Sequence, residues 1–150
     1  MSEAIHATAV LCGTHGVLIR GAPGAGKSTL THALIARGAR LVGDDRIWLS
    51  ACQDRLLASV PAVISGLVEL RGRGLVTTPF ERAAIIRLVA DIVPAETLER
   101  MPEEGRAAAE LLGVVVPRQQ VPAATEAAVR LVDAALEALS PNRNMGLRSA

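Results

Sequence analysis

Gly21-Ala22-Pro23-Gly24-Ala25-Gly26-Lys27-Ser28 meets every fixed position of the phosphate-binding pattern G-x-x-x-x-G-K-[ST]. Glycines at those places let the backbone wrap close to an anion with several N–H groups turned inward. A helix that starts at the loop adds the partial positive charge of its N-terminus. Lysine at position 27 is the residue type that reaches β- and γ-phosphates, and the Ser28 hydroxyl suits Mg²⁺. With Thr29 in the same first turn, the candidate nucleotide-binding stretch is Gly21, Ala22, Pro23, Gly24, Ala25, Gly26, Lys27, Ser28 and Thr29. Asp44 and Asp45 follow a second short apolar run, beginning sixteen residues after Ser28. A carboxylate at a neighbouring strand end is what a Mg²⁺–nucleotide site needs. Asp44 is the candidate base that takes a proton from an acceptor hydroxyl, and Asp45 can assist it or hold metal. Without the loop, such a pair is as often a solvated turn.

These groups need elements to hold them. The apolar run at 16–20 is expected to be a strand entering the loop, and 28–37 the helix leaving it, closed by Gly38 as a C-cap. A first strand is expected at 5–11, and 39–43 is a strand ending at the Asp pair. Two more strands, 47–51 and 56–60, flank a turn. Pro61 suits the first position of a short helix reaching Val68. Residues 69–74 read as a charged, glycine-punctuated loop, and 75–78 as a strand. The nearly unbroken apolar run at 83–93 is a buried strand. A polar surface connection at 96–105 follows, then a strand at 111–116 closed by Pro117. Val129, Val132, Leu136 and Leu139 recur at helical spacing in a closing amphipathic helix from 123. Residues 1–140 form one expected domain, and 141–150 a mobile tail.

Composition narrows the class. The chain has 150 residues, enough for one cored domain. Half are hydrophobic, yet Trp48 and Phe80 are the whole aromatic complement, so Val, Leu, Ile and Ala must build the core. That balance suits an α/β fold with a parallel or mixed sheet flanked by helices. The net charge is +1, with no basic tract or aromatic platform, which argues against nucleic acid as the partner. No segment approaches the roughly 18 apolar residues of a membrane span, and the start is not that of a signal peptide. Cys12 and Cys52 form no C-x-x-C pair and are expected as reduced, part-buried thiols. These features together predict a cytoplasmic protein. His15 and His32 carry no assigned role, and Trp48 is expected in the core or an interface rather than against a nucleotide base.

Four blocks in order resemble the catalytic domain of the HPr kinase/phosphorylase family. They are Ile5-His6; Gly16-Val17-Leu18-Ile19-Arg20-Gly21 running into the loop; Arg37-Gly38-Ala39-Arg40-Leu41-Val42-Gly43-Asp44-Asp45; and Val68-Glu69-Leu70-Arg71-Gly72-Arg73-Gly74-Leu75-Val76. The third is similar to the family's R-G-x-x-L-V-A-D-D and the fourth to its E-I-R-G-L-G-I-I. The resemblance covers 5–76 clearly and thins afterwards. It implies the HPr kinase / PEP carboxykinase-like fold and a Mg²⁺-ATP-dependent serine kinase. Its substrate would be the phosphocarrier protein HPr, in phosphotransferase-system regulation, and the enzyme would also act as a phosphorylase. The same resemblance implies that Asp44 is the base, that Glu69 lies near the metal with Ser28 and Asp45, that Arg71 faces the transferring charge, and that His6 lies near the phosphates. It further implies a homo-oligomer, a hexamer in the family. In length the chain resembles the short, catalytic-domain-only forms of α-proteobacteria. It departs from the family at 116–122, where Val-Pro-Arg-Gln-Gln-Val-Pro replaces a P-x-R-P-G-R-N loop, and this bears on the reverse reaction most. Two other readings stand beside it: a phosphate-loop kinase for a small metabolite, and a non-catalytic ATP-sensing module.

Overall fold

The computed structural model describes residues 1–101 and 107–139. Among these the β-rich runs form β1 (Ser2–Ile5), β2 (Thr8–Cys12), β3 (His15–Arg20), β4 (Arg40–Gly43), β5 (Ile47–Cys52), β6 (Arg55–Ser59), β7 (Leu67–Leu70), β8 (Gly74–Thr77), β9 (Ala83–Ile92), β10 (Ala108–Leu111) and β11 (Val114–Val121). The helices are α1 (Lys27–Ala36) and α2 (Thr125–Ala138). Nine strands share one mixed sheet with the path β1-β5-β6-β9-β3-β2-β4; β11 joins at β9 and carries β10, while β7 and β8 form a separate hairpin.

The long buried strand β9 is the spine. Its first residues pair antiparallel with β6, as Ser59↔Ala83 and Leu57↔Ile85. Its later residues pair parallel with β3, as Leu18↔Val89 and Arg20↔Asp91, and with β11, as Arg118↔Val89 and Val121↔Ile92. β2 runs antiparallel to both β3 and β4. β4 therefore points the same way as β3. The C-terminal ends of β3, β4 and β9, and the start of β2, lie along one sheet edge, where α/β proteins bind their ligands.

Each face of the sheet has its own core. On one, Val10, Ile19, Leu41 and Leu88 meet Leu30 and Leu34 of α1 and Ala128 and Val132 of α2. On the other, Leu18, Val42 and Val89 meet Ile47, Leu49, Leu56 and Ala58 of β5 and β6. The mixed sheet is thus flanked by helices on one face, while on the other it curls over and covers itself. The first two short strands after β4, β5 and β6, supply this second layer, whereas Val68 of β7 packs in the first core.

Several elements differ from the sequence expectation. The strand expected at 5–11 is two strands, because β1 pairs with β5 and β2 with β3 and β4. The helix expected from Pro61 is a single turn, Ala62–Ile64, ended by Gly66 at φ 79. Most of the expected loop at 69–74 belongs to the β7–β8 hairpin, closed by Arg73 N–H donating to Leu70 O at 2.8 Å. Pro117 does not close its strand. β11 pairs with β10 through Pro117 and with β9 from Arg118, so the residue without an N–H sits where the strand changes partners. Cys12 is part-buried as expected, but Cys52 is exposed; both are free. Burial first, then the charge of Asp133, pushes the Cys12 thiol up to about 11. Trp48 is 46% exposed and not in the core. The Gly38 cap is found as expected, with Gly38 N–H on Ile35 O and Ala39 N–H on Leu34 O. No helix among the described residues is long and apolar enough to cross a membrane. The tail expected at 141–150 lies outside the described residues.

Candidate functional site

The phosphate-binding sequence bridges β3 and α1. Ala25 N–H donates to Ala22 O at 3.0 Å, closing a turn ahead of the helix. Gly26 takes φ 112, a left-handed conformation open to glycine, and becomes the N-cap with no side-chain cap. The first helical bond runs from Leu30 N–H to Gly26 O. The N–H groups of Lys27, Ser28 and Thr29 therefore have no partner within the helix, which is the donor arrangement an anion needs. Lys27 Nζ donates to Gly21 O at 2.9 Å, so its ammonium lies across the loop.

Pro23, Gly24, Gly26, Lys27, Ser28 and Thr29 line a cleft of about 970 Å³ at the sheet edge. Asp44, Asp45, Glu69 and Arg71 line the same cleft. The acids arrive on the end of β4 and the other pair on the β7–β8 hairpin, so three elements distant in sequence converge. Gly21, Ala22 and Ala25 shape the loop without lining the cleft. His6 stays outside it, with Nδ1 3.7 Å from Asp45 Oδ1 and both side chains exposed.

The two aspartates are held differently. Asp44 Oδ1 accepts from Thr8 Oγ1 at 3.3 Å and Oδ2 from Glu69 N–H at 3.4 Å. Asp45 stands at φ 65, the centre of a three-residue turn closed by Arg46 N–H on Asp44 O at 2.8 Å. The turn sends the neighbouring carboxylates in different directions: Asp44 toward Thr8 and the hairpin, Asp45 toward solvent and His6.

Two polar lining residues, Thr8 and His32, were given no role by sequence. Thr8 looks like an ordinary strand former until β2 is placed between β3 and β4. His32 bonds through Nε2 to Glu69 O at 3.0 Å and ties α1 to the hairpin. It lies four residues after Ser28 and so on the same helix face, a spacing that could have flagged it.

Beneath the loop, Arg20 donates to Asp91 through Nε at 2.7 Å and Nη2 at 2.9 Å, and Arg118 Nε donates to the same carboxylate. Burial would raise the Asp91 pKa; the hydrogen bonds and charges of the two arginines outweigh it and hold the carboxyl below its ordinary value. Arg20 is raised in turn, chiefly by its hydrogen bond to Asp91.

Ser28, the aspartates and Glu69 bring hard oxygen donors to the cleft. They fit Mg²⁺, which commonly takes one or two carboxylates plus substrate phosphates.

Comparison with known proteins bears on the family and the fold. Residues 1–150 match the family described as HPr Serine kinase C-terminal domain. The HPr kinase/phosphorylase of Clostridium tetani is 44% identical over 64 residues, 43% of this chain and 21% of that protein. That of Streptococcus salivarius is 34% identical over 137 residues, 85% of this chain and 43% of that protein. The chain thus spans less than half the length of these relatives. The solved HPr(Ser) kinase/phosphatase from Coxiella burnetii superimposes with a TM-score of 0.75 at 27% identity, covering 97% of this chain and 99% of that one.

Proposed function

This chain belongs to the HPr serine kinase C-terminal domain family, and from that membership we propose that it transfers the γ-phosphoryl group of Mg²⁺-ATP to a serine of the phosphocarrier protein HPr. One feature supports the reading most. Asp44 leaves β4 at the same edge, and in the same cleft, as Lys27 and Ser28, with hydrogen-bond donors on both carboxylate oxygens. Lys27 and the first-turn amides of α1 bind the donor phosphates. Ser28, Asp45 and Glu69 would hold Mg²⁺, which would supply charge neutralisation when bound. Asp44 takes the proton of the attacking serine hydroxyl. Arg71, at the hairpin tip, faces the charge on the group in transfer, and His6 steadies the exposed Asp45.

A protein acceptor is favoured over a small metabolite by the rim of the cleft. Ile64, Leu70 and Leu75 line it, yet Leu75 is 71% exposed, and neighbouring Val63 86%. Apolar side chains left open around a reactive centre suit a macromolecular surface. The forward direction is the better supported, because residues 116–122 lack the Gly-Arg-Asn of the family loop. Residues 1–140 act as one kinase domain in this reading. It sits in the cytoplasm and assembles as a homo-oligomer, a hexamer by resemblance, which light scattering will measure.

The test is an assay with Mg²⁺-ATP and purified HPr, read by intact mass. The expected product is HPr carrying one phosphate on serine. Asp44→Asn lowers kcat by roughly 10²–10⁴-fold, the usual range for a removed general base. Lys27→Ala lowers turnover by at least about 10²-fold. A protein that binds ATP but never modifies HPr ends this reading, leaving another acceptor or a nucleotide sensor.

A further inference from the structure

Thr8 is among the most buried polar residues described, at 1% exposure, and its hydroxyl has two partners. It accepts from Asp45 N–H at 3.0 Å and donates to Asp44 Oδ1 at 3.3 Å. A threonine hydroxyl carries a single proton. With the Asp45 amide on its lone pair, that proton is left for the Asp44 carboxylate. A hydroxyl removed from water must find partners, so the arrangement is a satisfied buried unit rather than a chance surface contact.

The sheet explains why a residue so far away in sequence does this. Thr8 opens β2, paired with Ile19 at the end of β3, and its neighbour Ala9 pairs with Gly43 at the end of β4. The β2–β4 register shifts between Ala9 and Val10. Thr8 thus stands between the strand that delivers the phosphate loop and the strand that delivers the acids. The turn it holds is a costly one: Asp45 is a non-glycine residue in the left-handed region at φ 65, and such conformations persist only where surrounding structure fixes them.

We infer that Thr8 is a positioning residue: its hydroxyl locks the Asp44–Asp45 turn through the Asp45 amide and, by the same atom, aims the Asp44 carboxylate into the cleft. The catalytic consequence rests on the kinase reading above; the lock itself does not. Glu69 N–H holds the other Asp44 oxygen but belongs to a hairpin outside the main sheet. Thr8 is the anchor that comes from the sheet.

The experiment compares Thr8→Val, Thr8→Ala and Thr8→Ser with the wild type. Three readouts are taken: kcat and KM for Mg²⁺-ATP with HPr as acceptor, Asp45 amide exchange by NMR, and thermal melting. Val keeps the shape and loses the hydroxyl; Ser keeps the hydroxyl and loses the methyl. Val is expected to lower kcat by roughly 10–100-fold, the scale of a misplaced catalytic group. Its KM for ATP stays within about threefold, because the phosphate loop is untouched. Ser is expected to stay within about threefold of wild-type kcat, since the hydroxyl that places the base is retained. Asp45 exchange accelerates in Val and stays slow in Ser. Wild-type kcat in a folded Val variant, or equal loss in Val and Ser, overturns the inference. If Val does not fold, Ala and Ser decide, since both lack the methyl and only Ser can bond; equal kcat in those two overturns it. If the wild-type protein leaves HPr unmodified, the acceptor assignment has failed, and Asp45 exchange decides the lock: loss of protection in Val with retention in Ser supports it, and equal exchange overturns it.

Discussion

Asp91 brings a full charge into a sheet interior built from Val, Leu and Ile, and it does so directly under the phosphate-binding loop. Its two partners come from the neighbouring parallel strands, Arg20 from β3 and Arg118 from β11. Arg20 immediately precedes Gly21, so the carboxylate fixes the last residue before the loop. Removing one member of such a group leaves the others uncompensated. Asp91→Asn should cost about 3 kcal/mol at neutral pH, at the lower end for a broken buried pair because the arginines are partly solvated. The pH dependence has a definite sign. The folded pKa of Asp91 lies below its unfolded value of about 3.9. Its stabilisation is therefore complete above that unfolded value and is lost as pH falls through the folded pKa. Urea unfolding of wild type and Asp91→Asn should differ clearly at pH 7, with the gap narrowing toward pH 3 and below. A gap that does not change with pH would mean that the Asp91 charge contributes nothing.

At the scale of elements, the acids depend on how closely β4 approaches the strands that cover it. A Cβ added at Gly43 would run into Val60 Cγ1 and Ile47 Cγ2. Both are branched, packed side chains that cannot swing away freely. Gly43→Ala should destabilise by about 1–3 kcal/mol, the range for overpacking a filled core, and should lower kcat more than KM by moving Asp44. Calorimetry beside the kinase assay reads both; an unchanged melting point would show that β5 and β6 yield easily. Elements also decide what a sequence can disclose. The phosphate loop was legible because its requirements are local: glycines, a lysine and a helix start within nine residues. Asp44 was legible because, once a phosphate loop is present, a carboxylate ending a neighbouring short strand falls at the ligand-binding edge of an α/β sheet. Of the β7–β8 hairpin, β8 was expected as the strand at 75–78 and β7 was not, because four residues before Arg71-Gly72-Arg73 show too little alternation. What makes them strands is their pairing with each other and the burial of Val68. Thr8 was hidden for a similar reason, since its function exists only in the register of β2 against β4.

For the molecule as a whole, composition disclosed the material of the core but not its division. Val, Leu, Ile and Ala without aromatics implied a helix-covered sheet, and one face obeys. The other is closed by β5 and β6 because β9 exchanges antiparallel β6 for parallel β11 along its length, a bifurcation no local pattern encodes. The layers are therefore held by apolar packing, and charges across them should matter little. The α1–α2 contact offers a direct comparison, because adjacent residues of α2 supply one interaction of each kind. Val132 is fully buried in the cluster shared by both helices and the sheet. Asp133 meets Arg37 at 2.7 Å with both side chains about half exposed. Val132→Ala removes two buried methyl groups and leaves a cavity, for about 2 kcal/mol. Asp133→Ala removes a solvated ion pair worth at most about 1 kcal/mol. Denaturant midpoints of the two variants should separate in that order, with the Asp133 effect fading in 1 M salt and the Val132 effect persisting. The reverse order would make the helix layer an electrostatic assembly. It would also require that the apolar cluster beneath it be loosely packed, against the burial found for Leu30, Leu34, Ala128 and Val132.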